Sequence, residues 1–277
     1  MLIANSLAIA GRHQPLLEPT SLTVARGQLL LVQAEPQATR TALSLGLSAR
    51  MRPTTGRVSW SGNASLRAVR RISALVDSPE INEPEAHLKV RDLVAEDLAL
   101  QPAPLWRRSS VNAWMERHHL SHLADSWLDA IDPLERLALI THLALEDHRI
   151  ELAVFDSPDR HGIPEIDWVN HLLTVVGGRR SPAVIAAVNR IPEGFDGAVA
   201  YAGHQQEHPI FAPAPQSLPE EPGFIAELAT PTEEPVDHEA PTPGPEPDTA
   251  QEPDSAQEPD MTPPPAPEPS PTPEVIR

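Results

Sequence analysis

The stretch LLLVQAEPQATRTALSL, residues 29–45, decides how this chain is read. An apolar run, a short connection, a basic residue followed by Thr, and then a helical pattern make the frame of a phosphate-binding loop. Such a loop uses glycine where backbone N–H groups turn to face phosphate, and a Cβ there costs roughly 1 kcal/mol or more in a left-handed conformation. Here the eight positions read Ala34, Glu35, Pro36, Gln37, Ala38, Thr39, Arg40 and Thr41, with no glycine among them. Pro36 removes an N–H donor, and Glu35 sets a carboxylate where a polyanion would approach. Arg40 keeps positive charge on the right step of the helix, but its planar fork does not replace a compact ammonium. The single lysine of the chain, Lys89, follows no glycine-rich loop, so no second candidate exists.

Composition divides the 277 residues unevenly. Residues 212–277 hold 19 of the 33 prolines and 15 of the 39 acidic side chains against one Arg, a segment that cannot bury a core and is expected to be disordered. Its QEPDSAQEPD and PPPAPEPSPTP runs favour extended polyproline conformation, with PGFIAEL at 222–228 as the one apolar island and a candidate for binding a protein partner. Residues 1–211, the expected folded domain, are close to charge balance, so neither part carries the basic signal of a nucleic-acid-binding protein. With no cysteine, disulfides, thiolate nucleophiles and Cys-type zinc sites are excluded. The start, MLIANSLAIAGRHQ, has no basic leader and too short an apolar run to span a bilayer; its alternation predicts a first strand, and the chain is expected to be intracellular.

Further strand patterns lie at residues 21–25, 28–33, 57–62, 72–77, 150–156, 182–188 and 197–203, several of them continuous aliphatic runs suited to strands buried on both faces. Helical patterns fall at 38–51, 90–100, 104–119, 120–128, 133–146 and 164–176. Early strands, then a helical block at about 88–146, then alternating strand and helix predict an α/β core with an inserted helical subdomain. Asp132, Pro133 and Glu135 mark one helix start, with Asp132 as cap and Glu135 completing a capping box.

Two stretches carry a family resemblance. PLLEPTSLTVARGQLLLVQAEPQATRTALSLGLSARMRPTTGRVSWSG resembles the amino-terminal half of an ABC transporter ATP-binding subunit, with Leu17, Gly27, Leu43, Pro53, Gly56 and Val58 in matching places. HHLSHLADSWLDAIDPLERLALITHLALEDHRIELAVFDSP is similar to that family's signature helix and the strand that follows it. The resemblance covers roughly residues 1–205 and implies the P-loop cassette fold, with an antiparallel β portion, a mixed core sheet and an inserted helical subdomain. It also implies ATP and magnesium as ligands, with Ala34, Gln37, Ala38, Thr39, Arg40, Thr41 and Asp132 on nucleotide and Thr41 and Asp156 on the metal.

At most of these places the chemistry departs from the family's. Asp132, Pro133, Leu134 and Glu135 stand in the register of a Ser-Gly-Gly-Gln motif, so a carboxylate faces phosphate where a hydroxyl should. After Asp156 comes Ser157 in place of the Glu that polarises water, and such a loss commonly removes a factor of roughly 10² to 10⁴ in rate. Asp77 or Ser78 replaces a switch Gln, and Asn189 or Val188 a switch His. The base-stacking aromatic expected at 11–14 is missing, with His13 the only ring there, and the interface loop reads Asp159, Arg160, His161, Gly162. His118 and His122 have the spacing of a zinc pair on one helix face, without a third ligand clearly placed. Ser109 and Ser110 belong to no readable nucleophile–His–acid set.

The expectation is an ATP-binding subunit with weak nucleotide binding and poor or no hydrolysis, cytoplasmic or peripheral at the inner membrane face. Its partner would be a membrane permease or a second cassette in a homodimer or heterodimer. The alternatives are a pseudo-ATPase scaffold or regulatory subunit that holds no nucleotide, and an ATPase active only as a heterodimer with an intact partner.

Overall fold

The computed structural model describes residues 1–101, 109–206 and 210–211, the last two by backbone alone. These all belong to the first of the two units into which the chain divides, Met1–Glu220 and Glu221–Arg277. The expected disordered tail from residue 212, its apolar island at 222–228 and the first part of the helix predicted at 104–119 lie outside the described residues.

Two sheets form the body. The first is antiparallel, order β2-β1-β4, from β1 (Leu2–Ile9), β2 (Leu17–Val24) and β4 (Thr55–Trp60). Its alternation reads directly from the sequence: Leu2, Ala4, Leu7 and Ile9 are buried between more exposed neighbours. The register shifts past Ser6, which has φ 46°, and Gly56 (φ 74°) packs so tightly there that a Cβ would lie 2.0 Å from the Ser6 carbonyl oxygen. Only glycine fits that place.

The second sheet has the order β5-β6-β7-β3-β8-β9. Strands β3 (Leu29–Gln33), β5 (Ser73–Val76), β6 (Leu152–Asp156), β7 (Ala183–Val188) and β8 (Ala198–Tyr201) are parallel, and β9 (Ile210–Phe211) is antiparallel at the edge. Buried on both faces, β5, β6 and β7 show the continuous apolar runs that parallel strands require. One face packs with α1 (Gln37–Leu47) and the antiparallel sheet around Leu30, Val32, Leu43, Val154 and Ile185. The other packs α5 (Pro133–Ala144) and α6 (Glu165–Gly177) around Leu31, Phe155, Trp168, Leu172 and Val184. A third core, with Val94, Leu98, fully buried Trp114, Met115, Leu139 and Leu143, joins α3 (Val90–Leu100) and α4 (Val111–Arg117) to α5 as the inserted helical subdomain. Among the described residues no helix is long and apolar enough to cross a membrane.

Some expected elements differ. Residues 120–128 contain only a 3-10 turn, Ser121–Leu123, because beyond its short local turns the segment bonds to residues 88–91. Val90 N donates to Ser126 O at 3.0 Å, Arg91 N to Ala124 O at 3.1 Å and Leu128 N to Leu88 O at 3.0 Å. Helix α2 (Leu66–Ile72) was not expected; it is seven residues long with one buried side chain, Val69, too short for a periodic signal. Helix α1 ends at Leu47 rather than 51, where Ala49 turns left-handed (φ 55°) and Arg50 N closes onto Leu45 O at 2.8 Å.

Candidate functional site

The residues singled out around position 40 meet at the carboxyl ends of β3, β6 and β7. Helix α1 begins at Gln37, so Gln37, Ala38 and Thr39 are wound into its first turn and only Ala34, Glu35 and Pro36 link it to β3. Some of the backbone donors that would cradle phosphate are already used. Ala34 N bonds Val188 O at 3.0 Å, and the N–H groups of Thr39 and Arg40 both turn back to Pro36 O, at 2.9 and 3.3 Å. Pro36 itself has none to give.

Arg40 is 9% exposed and its guanidinium lies inside the site. Nε donates to Ser157 Oγ at 2.8 Å, Nη1 to Ala34 O at 3.0 Å and to Asn189 Oδ1 at 3.2 Å, and Nη2 to Gln37 Oε1 at 2.6 Å. With its oxygen on Arg40, the Gln37 amide turns its nitrogen the other way, to Thr41 Oγ1 at 3.1 Å and Asp156 Oδ1 at 3.2 Å. Thr41 and Asp156 are the two residues that the resemblance implied on magnesium. A neutral amide nitrogen now lies within hydrogen-bonding distance of both.

Asp156 is 1% exposed and fully engaged. Its Oδ2 accepts from Ser78 Oγ at 2.6 Å, and Ser157 Oγ lies 3.1 Å from Oδ1. Ser157 is itself buried in left-handed backbone (φ 58°) that favours glycine, a conformation costing about 1–2 kcal/mol. The charge of Arg40 is thus balanced by Asp156 through Ser157 and Gln37, and the site is close to neutral. The cavity above it, about 490 Å³, is walled by Glu35, Pro36, Gln37, Arg40 and Asn189.

The residues left open at the two switch positions face different ways. Ser78 faces Asp156, while Asp77 turns away from it; Asn189 faces Arg40, while Val188 is buried in β7. Asp132 does not join the group: Oδ1 accepts from Leu134 N at 2.9 Å and Glu135 N at 3.3 Å at the start of α5. The expected capping box is only half made, because Glu135 reaches to His122 Nε2 at 2.8 Å rather than back to Asp132 N. His13 is exposed.

A second network, absent from the sequence reading as a unit, adjoins the first. Asp77, with φ 53° and a side chain 4% exposed, receives both arms of Arg136 from α5, at 3.1 and 3.2 Å. Arg160 Nη2 lies 3.2 Å from Asp77 Oδ1, and His161 Nε2 lies 2.6 Å from Oδ2. Glu83 closes the cluster at 3.0 Å from Arg160 and 3.6 Å from Arg136. Burial raises the Asp77 pKa, but the His161 hydrogen bond and the two guanidiniums outweigh it, and the carboxyl stays below its usual range. The cluster joins β5, α5 and the turn Pro158–His161.

The spacing of His118 and His122 does not produce a metal pair. His122 goes to Glu135, whereas His118 stacks between Trp114 and His142, with centroids 4.4 and 4.3 Å away. Burial, then His118 and His171, push His142 down to about 4. Between pH 6.5 and 4 the unfolded chain therefore binds a proton at this residue that the folded chain refuses, so stability falls as pH drops through that window. A His142→Phe variant should lose roughly 1–2 kcal/mol less than the parent between pH 7 and 4.5, after allowance for solvent screening, measured by guanidinium denaturation.

No protein-family model matches the chain, and no curated protein is similar to it in sequence. Solved structures are similar in fold. A putative ABC transporter ATP-binding protein from Pyrococcus furiosus superposes with TM-score 0.55 at 16% identity, over 72% of this chain and 96% of that one. CbiO1 from Clostridium perfringens, part of the ABC transporter complex cbiONQ, gives 0.55 at 13% identity over 76% and 86%. A nucleotide-free ATP-binding cassette from an ABC transporter gives 0.56 at 15% identity over 76% and 89%. By strand order, helix insertion and these superpositions, the chain carries the fold of the ATP-binding subunits of ABC transporters.

Proposed function

We propose that this chain is a cassette-fold subunit of an ABC-type transport assembly that joins a membrane permease or a second cassette without turning over ATP itself. The observation that carries this reading is the Gln37 amide, which donates to Thr41 and Asp156 together while its oxygen holds Arg40. Magnesium seeks six oxygen ligands in octahedral array, and the two side-chain oxygens it would use accept hydrogen bonds from an amide. A nucleotide tri- or tetra-anion needs net positive charge, whereas the Arg40 guanidinium is held on Ser157 and Gln37, both of which also bond buried Asp156, and Pro36 withholds one N–H. Asp156 and Ser157 offer no group placed to polarise water, since every oxygen of the pair is engaged. The residues present do not fit magnesium ATP in this arrangement.

The likeness to subunits of transport complexes supports the partner class. CbiO1 is part of such a complex, and the inserted subdomain with its own core offers this chain a body for attachment. The peripheral position at the inner membrane face follows from that partner.

Phosphate release from magnesium ATP by the purified chain tests the reading, with Ser157→Glu beside it. Both are expected at background, because restoring the carboxylate leaves Gln37 on the metal ligands. Turnover by the chain alone overturns the proposal. Turnover only after mixing with an intact cassette would replace it by a heterodimeric ATPase.

A further inference from the structure

A groove with apolar walls lies away from the network at Arg40. It has a volume of about 700 Å³, between the end of α4, the second half of α5 and the end of α6. Ala138, Leu145, Val175 and Pro182 supply apolar wall. Three histidines face into it from three helices: His118, His142 and His171.

The charges around it are unequal. Arg117, Arg179 and Arg180 line the groove against a single carboxylate, Glu146. Glu146 is occupied, accepting from Trp114 Nε1 at 3.0 Å and lying 3.5 Å from Arg117. Arg180 donates to the backbone oxygens of Leu145, Asp147 (2.7 Å) and Ile150 (3.1 Å), which fix its guanidinium but leave its charge uncompensated. Arg179 is exposed and has no ion pair or hydrogen bond among the described residues.

The imidazoles add donors without charge. Burial lowers the pKa of all three, so each is neutral at pH 7 and carries one N–H. His171 Nε2 meets Thr141 Oγ1 at 3.1 Å, but His118 Nε2 is buried with no hydrogen-bond partner. These rings do not converge as metal ligands do. Among the described residues the one group that does is Asp77, Glu83 and His161, and two guanidiniums already face it.

We propose that this groove binds a small apolar organic anion, an aromatic carboxylate or sulfonate, with its ring against Ala138, Leu145 and Val175 and its charge toward Arg179 and Arg180. The volume lies within the usual range of about 300–1,000 Å³ for small-molecule sites, which combine apolar walls with a few polar groups. Charge complementarity selects the anion: the lining carries two guanidiniums whose charge no carboxylate offsets among the described residues, and neutral N–H donors behind them.

The test uses the full chain with 8-anilinonaphthalene-1-sulfonate as probe and the uncharged N-phenyl-1-naphthylamine as its control. Saturable fluorescence at one site is expected, with the neutral dye bound at least about tenfold more weakly, the loss of one charge-assisted contact. Arg179→Gln should weaken the anion about three- to tenfold, and Thr174→Phe, which fills the groove mouth, should abolish saturation. Both positions are exposed, so both variants should fold, and their melting curves check it. Binding of the anion that both substitutions leave unchanged, equal binding of the two dyes, or no saturable binding by the parent chain overturns the proposal.

Discussion

Asp77→Ala should destabilise the folded chain by about 3–5 kcal/mol, the usual cost of removing one partner from a buried charge network. Two guanidiniums and an imidazole converge on this carboxylate, and its side chain is 4% exposed. Without it Arg136 and Arg160 keep only Glu83, which is more exposed and lies 3.6 and 3.0 Å away. For a folded unit of this size each kcal/mol moves the melting temperature by about 2–4 °C, so a fall on the order of 10 °C is expected in a calorimetric scan. A fall under about 2 °C would mean that the cluster is a solvated surface feature. Asp77 also has a signed pH signature. Its folded pKa lies below the unfolded value, so its contribution is present above about pH 4 and disappears as pH falls through the lower folded value. That loss sits below the window assigned to His142, and the two variants separate them.

Arg40→Ala is the second large effect, expected at about 2–4 kcal/mol from the loss of several hydrogen bonds to a buried charged group. Ser157, Asn189, Gln37 and the Ala34 carbonyl all lose a donor, and buried Asp156 loses the positive charge that balances it. Arg40→Lys keeps the charge but not the fork, and should fall between the parent and the Ala variant. A denaturation midpoint for Arg40→Ala equal to the parent's would show that the guanidinium is not held as described. In a phosphate loop the same position contributes to ligand binding; here it contributes to the fold.

The architecture was legible because it rests on long apolar runs. Residues 29–32, 152–155 and 183–188 are uninterrupted, and each becomes a parallel strand buried on both faces. Helix α3 matched its pattern at both ends, while residues 120–128 did not form a helix, since residues 124–128 bond to residues 88–91, 33 to 40 positions earlier. The hydrogen bonds that Gln37, Arg40, Thr41, Asp156 and Ser157 make to one another were not legible. Gln37 was expected to offer nucleotide a loop position, and its side-chain amide instead joins Arg40 to Thr41 and Asp156. Nothing local marks that role, because the partners lie up to 120 positions away and are ordinary polar residues. Asp77, Arg136, Arg160 and His161 have no recognisable spacing either; only the sheet and α5 bring them together.

Isothermal titration of magnesium ATP into the full chain, beside the Gln37→Ala variant, tests most directly whether this network has replaced the ligand. The parent should give no binding heat up to about 1 mM nucleotide, corresponding to less than roughly 4 kcal/mol of binding free energy. Micromolar binding by the parent, abolished by Arg40→Ala, would contradict the account and return the glycine-free loop to a phosphate-binding role.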